Sequence, residues 1–352
     1  MPTLFRWIFY GCLSRALGLM LALTGIFFII EAFDKARYLG HGLTAGLLIE
    51  YMLLKTPFMV TEFMPIILLL ATAVYLTDLS RHNEIVVMRA AGLGIPKVLL
   101  PLLFIAGLAA VVSFMIGEWV TPVTNKRLDV IERIHIRHQV PNRQGIQWLK
   151  EDNRFFRLQP LANNTFRLII LETDDHGRWL KRTDAARAQY VDGRWHLSDV
   201  HISQPASASG MRMQRLDALE VPASIGPDTA DPPRPRHMNF LELRQYANDL
   251  ARAGLAAASF RFALHRKFAA PMACLVMVML ATALCTQLSS RGTFASWGII
   301  ASIGLGLLFY VMGNTSSLLS VGERLPAAFA AWLPNMIFGG LAGFLLLHRE
   351  GY

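Results

Sequence analysis

Six apolar runs constrain this chain more than any other feature. They fall at residues 13–33, 58–76, 95–116, 268–288, 294–313 and 327–347. Each is about 19–22 residues long, enough for a helix rising 1.5 Å per residue to cross a hydrocarbon core of roughly 30 Å. No water satisfies backbone amides inside a bilayer, so a spanning run of this kind must form a helix. Composition agrees: 53% of the residues are hydrophobic and 17% charged, whereas a soluble domain is nearer a quarter charged. The first run is longer than the roughly 7–15-residue core of a signal peptide and lacks a small-x-small cleavage site, so it is expected to be a permanent span.

Between the third and fourth runs the material changes. Residues 135–235 contain GIQWL, RFFRL, FRLIILE, ARAQYV, RWHLSDVHI and MRMQRL, short β-type runs of which several alternate apolar and polar. Asp192-Gly193 is a two-residue hairpin signal, and Asp175-His176-Gly177 marks a second turn. Closely spaced strands with no helix between them predict an antiparallel sandwich or roll. The Pro-rich stretch ASIGPDTADPPRPRH closes this region. MNFLELRQYANDLARAGL then has helical periodicity through Leu241, Tyr246, Leu250 and Leu255. The expected fold is an α-helical integral membrane protein of six transmembrane helices with an inserted all-β extracytoplasmic domain. Residues 1–134 supply three spans, 135–235 the β-domain, and 236–352 a connector helix and three more spans.

Six spans place both termini on one side. Short cytoplasmic segments should be richer in Lys and Arg. With termini inside, those segments hold Arg6, Arg15, Arg81, Arg89, Lys97, Arg291 and Arg349, against Lys35, Arg37, Lys55 and Arg324 in the two short outer loops. Arg261, Arg266 and Lys267 oppose the trend on the outer side. Cys12, Cys274 and Cys285 lie in or beside spans, so the polar middle has no disulfide framework and no Cys-based zinc site. The net charge of +9 comes with no basic-aromatic module for nucleic acid; anionic lipid is the expected partner.

Soluble catalytic signatures are missing. The sequence has no G-x-x-x-x-G-K-[ST], no G-x-S-x-G, no H-E-x-x-H and no Cys-x-x-Cys. His135 and His138 sit at i, i+3, a spacing more often found on a solvated helix face than at a metal. The chain reads as a non-enzyme without a cofactor of its own. Its most unusual charged stretch is LSRHNEIVVMRAAG, between the second and third spans. Residues 79–91 predict a short amphipathic helix with Ile85, Val86 and Met88 turned inward and Arg81, Glu84 and Arg89 outward. Two readings fit that pattern. One is a plain interfacial helix; the other is a helix seated in a groove of a cytoplasmic partner, passing its movements to the spans.

SRHNEIVVMRAAGLG resembles the cytoplasmic coupling segment S-E-L-V-V-M-x-A-S-G-F of the LptF/LptG family, the permeases of lipopolysaccharide-export ABC transporters. IGEWVTP at residues 116–122 is similar to I-G-E-W-V-A-P of the family's LptG branch. LRQYANDLARAGLAAASFRFALHRKFAAPMACLVMVMLA resembles the family's connector from β-domain to span, and LPAAFAAWLPNMIF its sixth span. The matches run in order over most of the chain. Two departures stand out: GNTSSLL replaces the family's D-Q-x-F-G-P-L, and GLAAASFRF lacks the connector's acidic residue and tyrosine.

The resemblance implies a jellyroll-like β-domain in the periplasm and a permease of the inner membrane. It implies pairing with a paralogous LptF-like permease and with an LptB-like cytoplasmic ATPase dimer, which would bind the ATP. Lipopolysaccharide would leave the outer leaflet for a periplasmic bridge protein, with a single-span regulator attached (LptA- and LptC-like). By position Glu84, with Arg81 and Arg89 beside it, matches the coupling-helix residues. Lys35 and Arg37 lie where the family has a basic cluster. With Arg266 and Lys267 they could hold lipid A phosphates through charge-assisted contacts. Local pairing is the competing reading: Glu31 with Lys35 is i, i+4, Asp34 with Arg37 is i, i+3, and Arg266 and Lys267 could snorkel to head groups. A rival function is a non-transporting scaffold whose β-domain regulates an envelope enzyme.

Overall fold

The computed structural model describes residues 2–39, 43–92, 94–132, 134, 147–161, 165–174, 179–191, 193–206, 210–223, 234–252, 255–288 and 295–350. His135, His138 and the Asp175-His176-Gly177 turn lie outside the described residues. The chain divides into two compact units. One comprises Met1–Leu128, Met238–Arg244 and Ala258–Tyr352; the other, Asp129–His237 and Gln245–Ala257.

The helical unit carries α1 (Pro2–Ala36), α2 (Ala45–Arg81), α3 (Glu84–Ala90), α4 (Ile95–Met115), α7 (Ala258–Leu288), α8 (Ala295–Val321) and α9 (Ala327–Glu350), with α5 (Thr121–Ile131) continuing from α4 and α6 (Phe240–Arg252) preceding α7. Among the described residues, six helices are long and apolar enough to cross a membrane. The first, at 35 residues, is roughly 50 Å long and overshoots the hydrocarbon core. Thr44 starts α2 by accepting the Leu47 N–H at 3.3 Å, the usual way a hydroxyl satisfies a first-turn amide.

Helix α7 is the centre of this unit. Cys274, Met277, Val278, Leu280 and Ala281 are fully buried, and they share one core with Leu68, Leu69 and Leu76 of α2 and Leu102 and Ala106 of α4. Small residues let helices approach where lipid gives no hydrophobic drive. A Cβ on Gly306 would sit 3.2 Å from Leu69 Cδ2, and one on Gly298 3.2 Å from Cys285 Sγ, so glycine is what admits α8 against α2 and α7. By contrast only 11% of the apolar window of α1 and 17% of that of α8 is buried.

Between α4 and α5 the chain makes a π-helical segment, Ile116–Val120. Its cause is local. Pro122 has no N–H and its ring would strike the carbonyl four residues back. The backbone widens instead, and the Thr121 N–H reaches the Ile116 carbonyl five residues back. The wide turn carries Glu118.

The second unit holds a six-stranded antiparallel sheet in sequential order, β1 (Gln147–Glu151), β2 (Arg154–Pro160), β3 (Phe166–Thr173), β4 (Trp179–Val191), β5 (Arg194–Ala206) and β6 (Gly210–Pro222). Val191 pairs with Arg194 and Gly193 has φ +80°, the positive φ that a two-residue hairpin needs. One face supplies the core: Leu149, Phe156, Leu158, Leu168, Ile170 and Leu197 around a fully buried Trp195, which Phe166 meets edge-on at 5.8 Å. Asp199, at φ +53°, shifts the phase of β5, so that Trp195 and Leu197 before it and Val200 and Ile202 after it all face inward. At the base of this unit Asp129, 4% exposed, holds Arg234 at 2.7 Å, Arg236 at 2.6 Å and the His237 Nε2 at 2.7 Å.

Helix α6 begins in a reciprocal cap: Asn239 Oδ1 accepts the Glu242 N–H at 2.9 Å and Glu242 Oε2 accepts the Asn239 N–H at 3.1 Å. Its buried face is Leu243, Ala247 and Leu250, while Leu241 is 66% exposed. The expected face was therefore out of phase at its first position, and Leu255 falls beyond the helix end.

Candidate functional site

The segment between α2 and α4 is not one helix over 79–91. Helix α2 runs on through Arg81, His82 and Asn83 form a turn, and α3 starts afresh at Glu84. Asn83 adopts φ +57°, a left-handed conformation that Asn tolerates better than other non-glycine residues. The restart resets the helical phase. Ile85 and Met88 are buried in the core that α2, α4 and α7 share. Val86, expected inward, is 61% exposed beside an exposed Val87.

Glu84 makes no ion pair among the described residues. Arg81 ends α2 and is exposed; Arg89 lies in α3, with its side chain outside the described residues. The segment thus presents a carboxylate and two valines from a helix pinned down by two apolar anchors.

The four expected substrate cations all have carboxylate partners. At the end of the bundle away from α3, Lys35 Nζ lies 2.8 Å from Asp34 Oδ2 and 3.9 Å from Glu31 Oε1. Arg37 reaches Asp34 Oδ1 at 3.3 Å, with its guanidinium over the Tyr38 ring. Both local pairs legible in the spacing therefore form. Lys55 joins them: it donates to Glu31 Oε1 at 2.6 Å, where the Tyr51 hydroxyl also donates at 3.1 Å, and it lies over the Phe27 ring. Sequence reasoning counted Lys55 as a loop cation and missed this role. The available signal was its i, i+4 spacing from Tyr51 on a helix opposite the acidic Glu31.

Arg266 and Lys267 are adjacent in α7 but point to different partners. Arg266 pairs with Glu62 of α2 at 2.5 Å, in a cavity also lined by Tyr310, Asn314 and Asn335. Lys267 pairs with Glu118 of the π-helical segment at 2.6 Å, both side chains being 14% exposed. Glu118 Oε1 also accepts the Phe240 N–H at 2.6 Å, so one carboxylate ties α7 to the first residue of α6. Arg37 is 66% exposed and Arg266 43%, open enough to exchange partners with a ligand, whereas Lys35 is only 16% exposed between Asp34 and Glu31. Lys267 is enclosed.

The sequence that forms these helices and this sheet is matched over residues 6–348 by one family model, that of the lipopolysaccharide export system permease LptF/LptG. The chain belongs to the LptF/LptG family. It is similar to the lipopolysaccharide export system permease protein LptG of Haemophilus influenzae, at 25% identity over 99% of both chains. It is also similar to the protein of the same name from Escherichia coli K12, at 24% identity over 97% of this chain and 96% of that one. Both relatives are named as permease proteins of a lipopolysaccharide export system. As an LptF/LptG family member this chain is a multi-pass membrane protein, and the residues of its inserted sheet lie within the span that the family model matches.

Proposed function

We propose that the chain is a permease subunit of an ATP-driven transporter that extracts lipopolysaccharide from the outer leaflet of the inner membrane. Its β-domain then lies in the periplasm and hands the lipid to a bridge protein and its single-span regulator. The observation that carries this reading is the construction of α3. A seven-residue helix is marginal alone, yet Ile85 and Met88 root it in the core that contains α2, α4 and α7. Motion imposed on the half-buried Glu84 and the exposed Val87 by a cytoplasmic ATPase dimer would pass directly into the spanning helices. Arg81 and Arg89 flank the same contact. The chain itself needs no cofactor in this mechanism; ATP is bound by the partner.

The thinly buried α1 and α8 are the surfaces on which a paralogous permease would pack, enclosing an apolar space for acyl chains. Lys35, Arg37 and Arg266 line the route of the lipid phosphates, displacing Asp34 and Glu62 from their cations as they bind. Lys267 acts with Glu118 as a strut. The test is purification of the full tagged chain from its native membrane in mild detergent, beside Glu84→Arg. The expected result is a second six-span permease and an ATPase with the wild type, and loss of the ATPase alone from the variant. Recovery of an envelope hydrolase in place of the ATPase would instead support the scaffold.

A further inference from the structure

The end of the helical unit that bears α3 contains a cavity of about 800 Å³, within the roughly 300–1,000 Å³ of small-molecule sites. Arg6, Trp7 and Tyr10 of α1 face it, with Tyr75 and Asp78 of α2 and Glu84 of α3. Three polar groups in this wall are unused. Tyr75 is 2% exposed, and its hydroxyl has no hydrogen-bond partner among the described residues, a rarity in native folds that calls for an explanation. Both Nε and Nη2 of Arg15 converge on Asp78 Oδ2, at 3.1 and 2.7 Å, leaving Oδ1 open. Arg6 makes no ion pair among the described residues.

The site is built rather than incidental. A Cβ on Gly11 would come within 2.6 Å of the Tyr75 ring, so glycine at that position is what lets the phenol lie beneath α1. Arg15 stacks over the same ring at 4.9 Å, and Trp7 meets it edge-on at 6.2 Å. Trp7 and Tyr10 are 46% and 60% exposed, and such amphipathic rings at the end of a span sit at the head-group level.

The charges of the lining decide the ligand. Arg6 and Arg15 are balanced by Asp78 and Glu84. A free phosphate or an anionic head group would face two carboxylates, and a simple cation would face two guanidinium groups. A ligand carrying both signs can meet Arg6 and Asp78 at once. We propose that this cavity binds the zwitterionic head group of an aminophospholipid from the leaflet on the α3 side. Its phosphate meets Arg6 and the Tyr75 hydroxyl, its ammonium donates to Asp78 Oδ1, and its acyl chains leave past Trp7 and Tyr10. This site stands apart from the proposed phosphate contacts at Lys35, Arg37 and Arg266, and it shares only Glu84 with the proposed ATPase contact.

Native mass spectrometry of the full chain in detergent tests it, with phosphatidylethanolamine, phosphatidylcholine and phosphatidylglycerol of matched acyl chains. One phosphatidylethanolamine should be retained about tenfold better than either of the others, because the choline group has no N–H to donate and the glycerol group no positive charge. Tyr75→Phe, which keeps the ring, and Arg6→Gln, at an exposed position, should each reduce retention about tenfold. Thermal melting establishes that the variants are folded, and Arg6→Gln carries the test alone should Tyr75→Phe not fold. Equal retention of the three lipids, or retention unchanged in folded variants, overturns the proposal. Displacement of the lipid by equimolar soluble phosphoethanolamine overturns its membrane source. Loss of a co-purifying protein with lipid retention intact assigns the cavity to a protein segment and overturns it too.

Discussion

Lys267→Met should cost the helical unit about 3 kcal/mol. The Lys267 ammonium and the Glu118 carboxylate are 2.6 Å apart, with both side chains 14% exposed, so solvent screens the pair little. Removing one member of such a pair leaves the other charge stranded, at roughly 3–5 kcal/mol. The low end applies because Glu118 keeps the Phe240 N–H at 2.6 Å, a charge-assisted contact that survives the change. Glu118→Gln should cost a similar amount by stranding Lys267. The double variant should be less destabilised than the sum of the two by about 2 kcal/mol, since contacting residues of one network are not additive and the pair is then replaced by neutral groups. Equilibrium unfolding of the full chain in mixed detergent micelles, on all four members of the cycle, measures this coupling. A Lys267→Met chain within about 0.5 kcal/mol of wild type, the range of an unremarkable surface substitution, would refute the reasoning. So would strict additivity. Either result would make Lys267 a solvated cation available to substrate.

The exposed cations should behave in the opposite way. Because Arg37 is 66% and Asp34 46% exposed, Arg37→Ala should change stability by less than about 1 kcal/mol and leave assembly intact, while lipopolysaccharide release by the reconstituted complex falls about tenfold or more. Met88→Ala removes an anchor of α3 at a local cost of about 2 kcal/mol; the ATPase should still co-purify, and lipid released per ATP hydrolysed should drop, whereas an unchanged ratio would count against a lever. Asp129→Asn removes the carboxylate that Arg234, Arg236 and His237 share and should loosen this part of the β-unit, read as faster hydrogen exchange at residues 129–131 and 235–237. Burial, with the Asp249 charge nearby, pushes the Tyr246 phenol up to about 12. An unfolded tyrosine ionises near 10, so the stability that comes from keeping Tyr246 neutral is complete below about pH 10 and is lost as pH rises towards 12. Tyr246→Phe should flatten alkaline unfolding over that window.

Elements whose determinants are local were legible in the sequence. The six apolar runs are spanning-length helices, and each of the six β-type runs became a strand, because length and alternation act on the backbone they belong to. The same holds for the pairing of Arg37 with Asp34 three residues away. Reading failed wherever phase or partner was set elsewhere. Val86 was assigned inward on the assumption of one continuous helix, and a single left-handed residue, Asn83, resets the phase. Arg266 and Lys267 read alike as basic residues opening a span. Their partners, Glu62 and Glu118, lie 204 and 149 residues away, and only the packing of α7 against α2 and the π-helical turn separates an exposed cation from an enclosed one. The cavity beside α3 was equally hidden, since it depends on Gly11 admitting Tyr75 across two helices.

The pairing of these cations bears on how a transporter can release what it binds. An unpaired Lys or Arg at membrane depth is costly, and a lipid phosphate meeting one would be held tightly. When each cation already has a carboxylate, binding becomes an exchange of one oxyanion for another, and the displaced group is a standing competitor. Conduction through any such site requires binding strong enough to admit the ligand and weak enough to let it go. Asp34 and Glu62 supply that competition at the two exposed positions. The geometry also limits the exchange to them: Arg37 and Arg266 are half open and can swing between partners, whereas Lys267 is held at 2.6 Å within a contact that also positions the start of α6. Within the proposed mechanism, then, the carboxylates beside the basic residues are as much a part of the lipid path as the cations themselves.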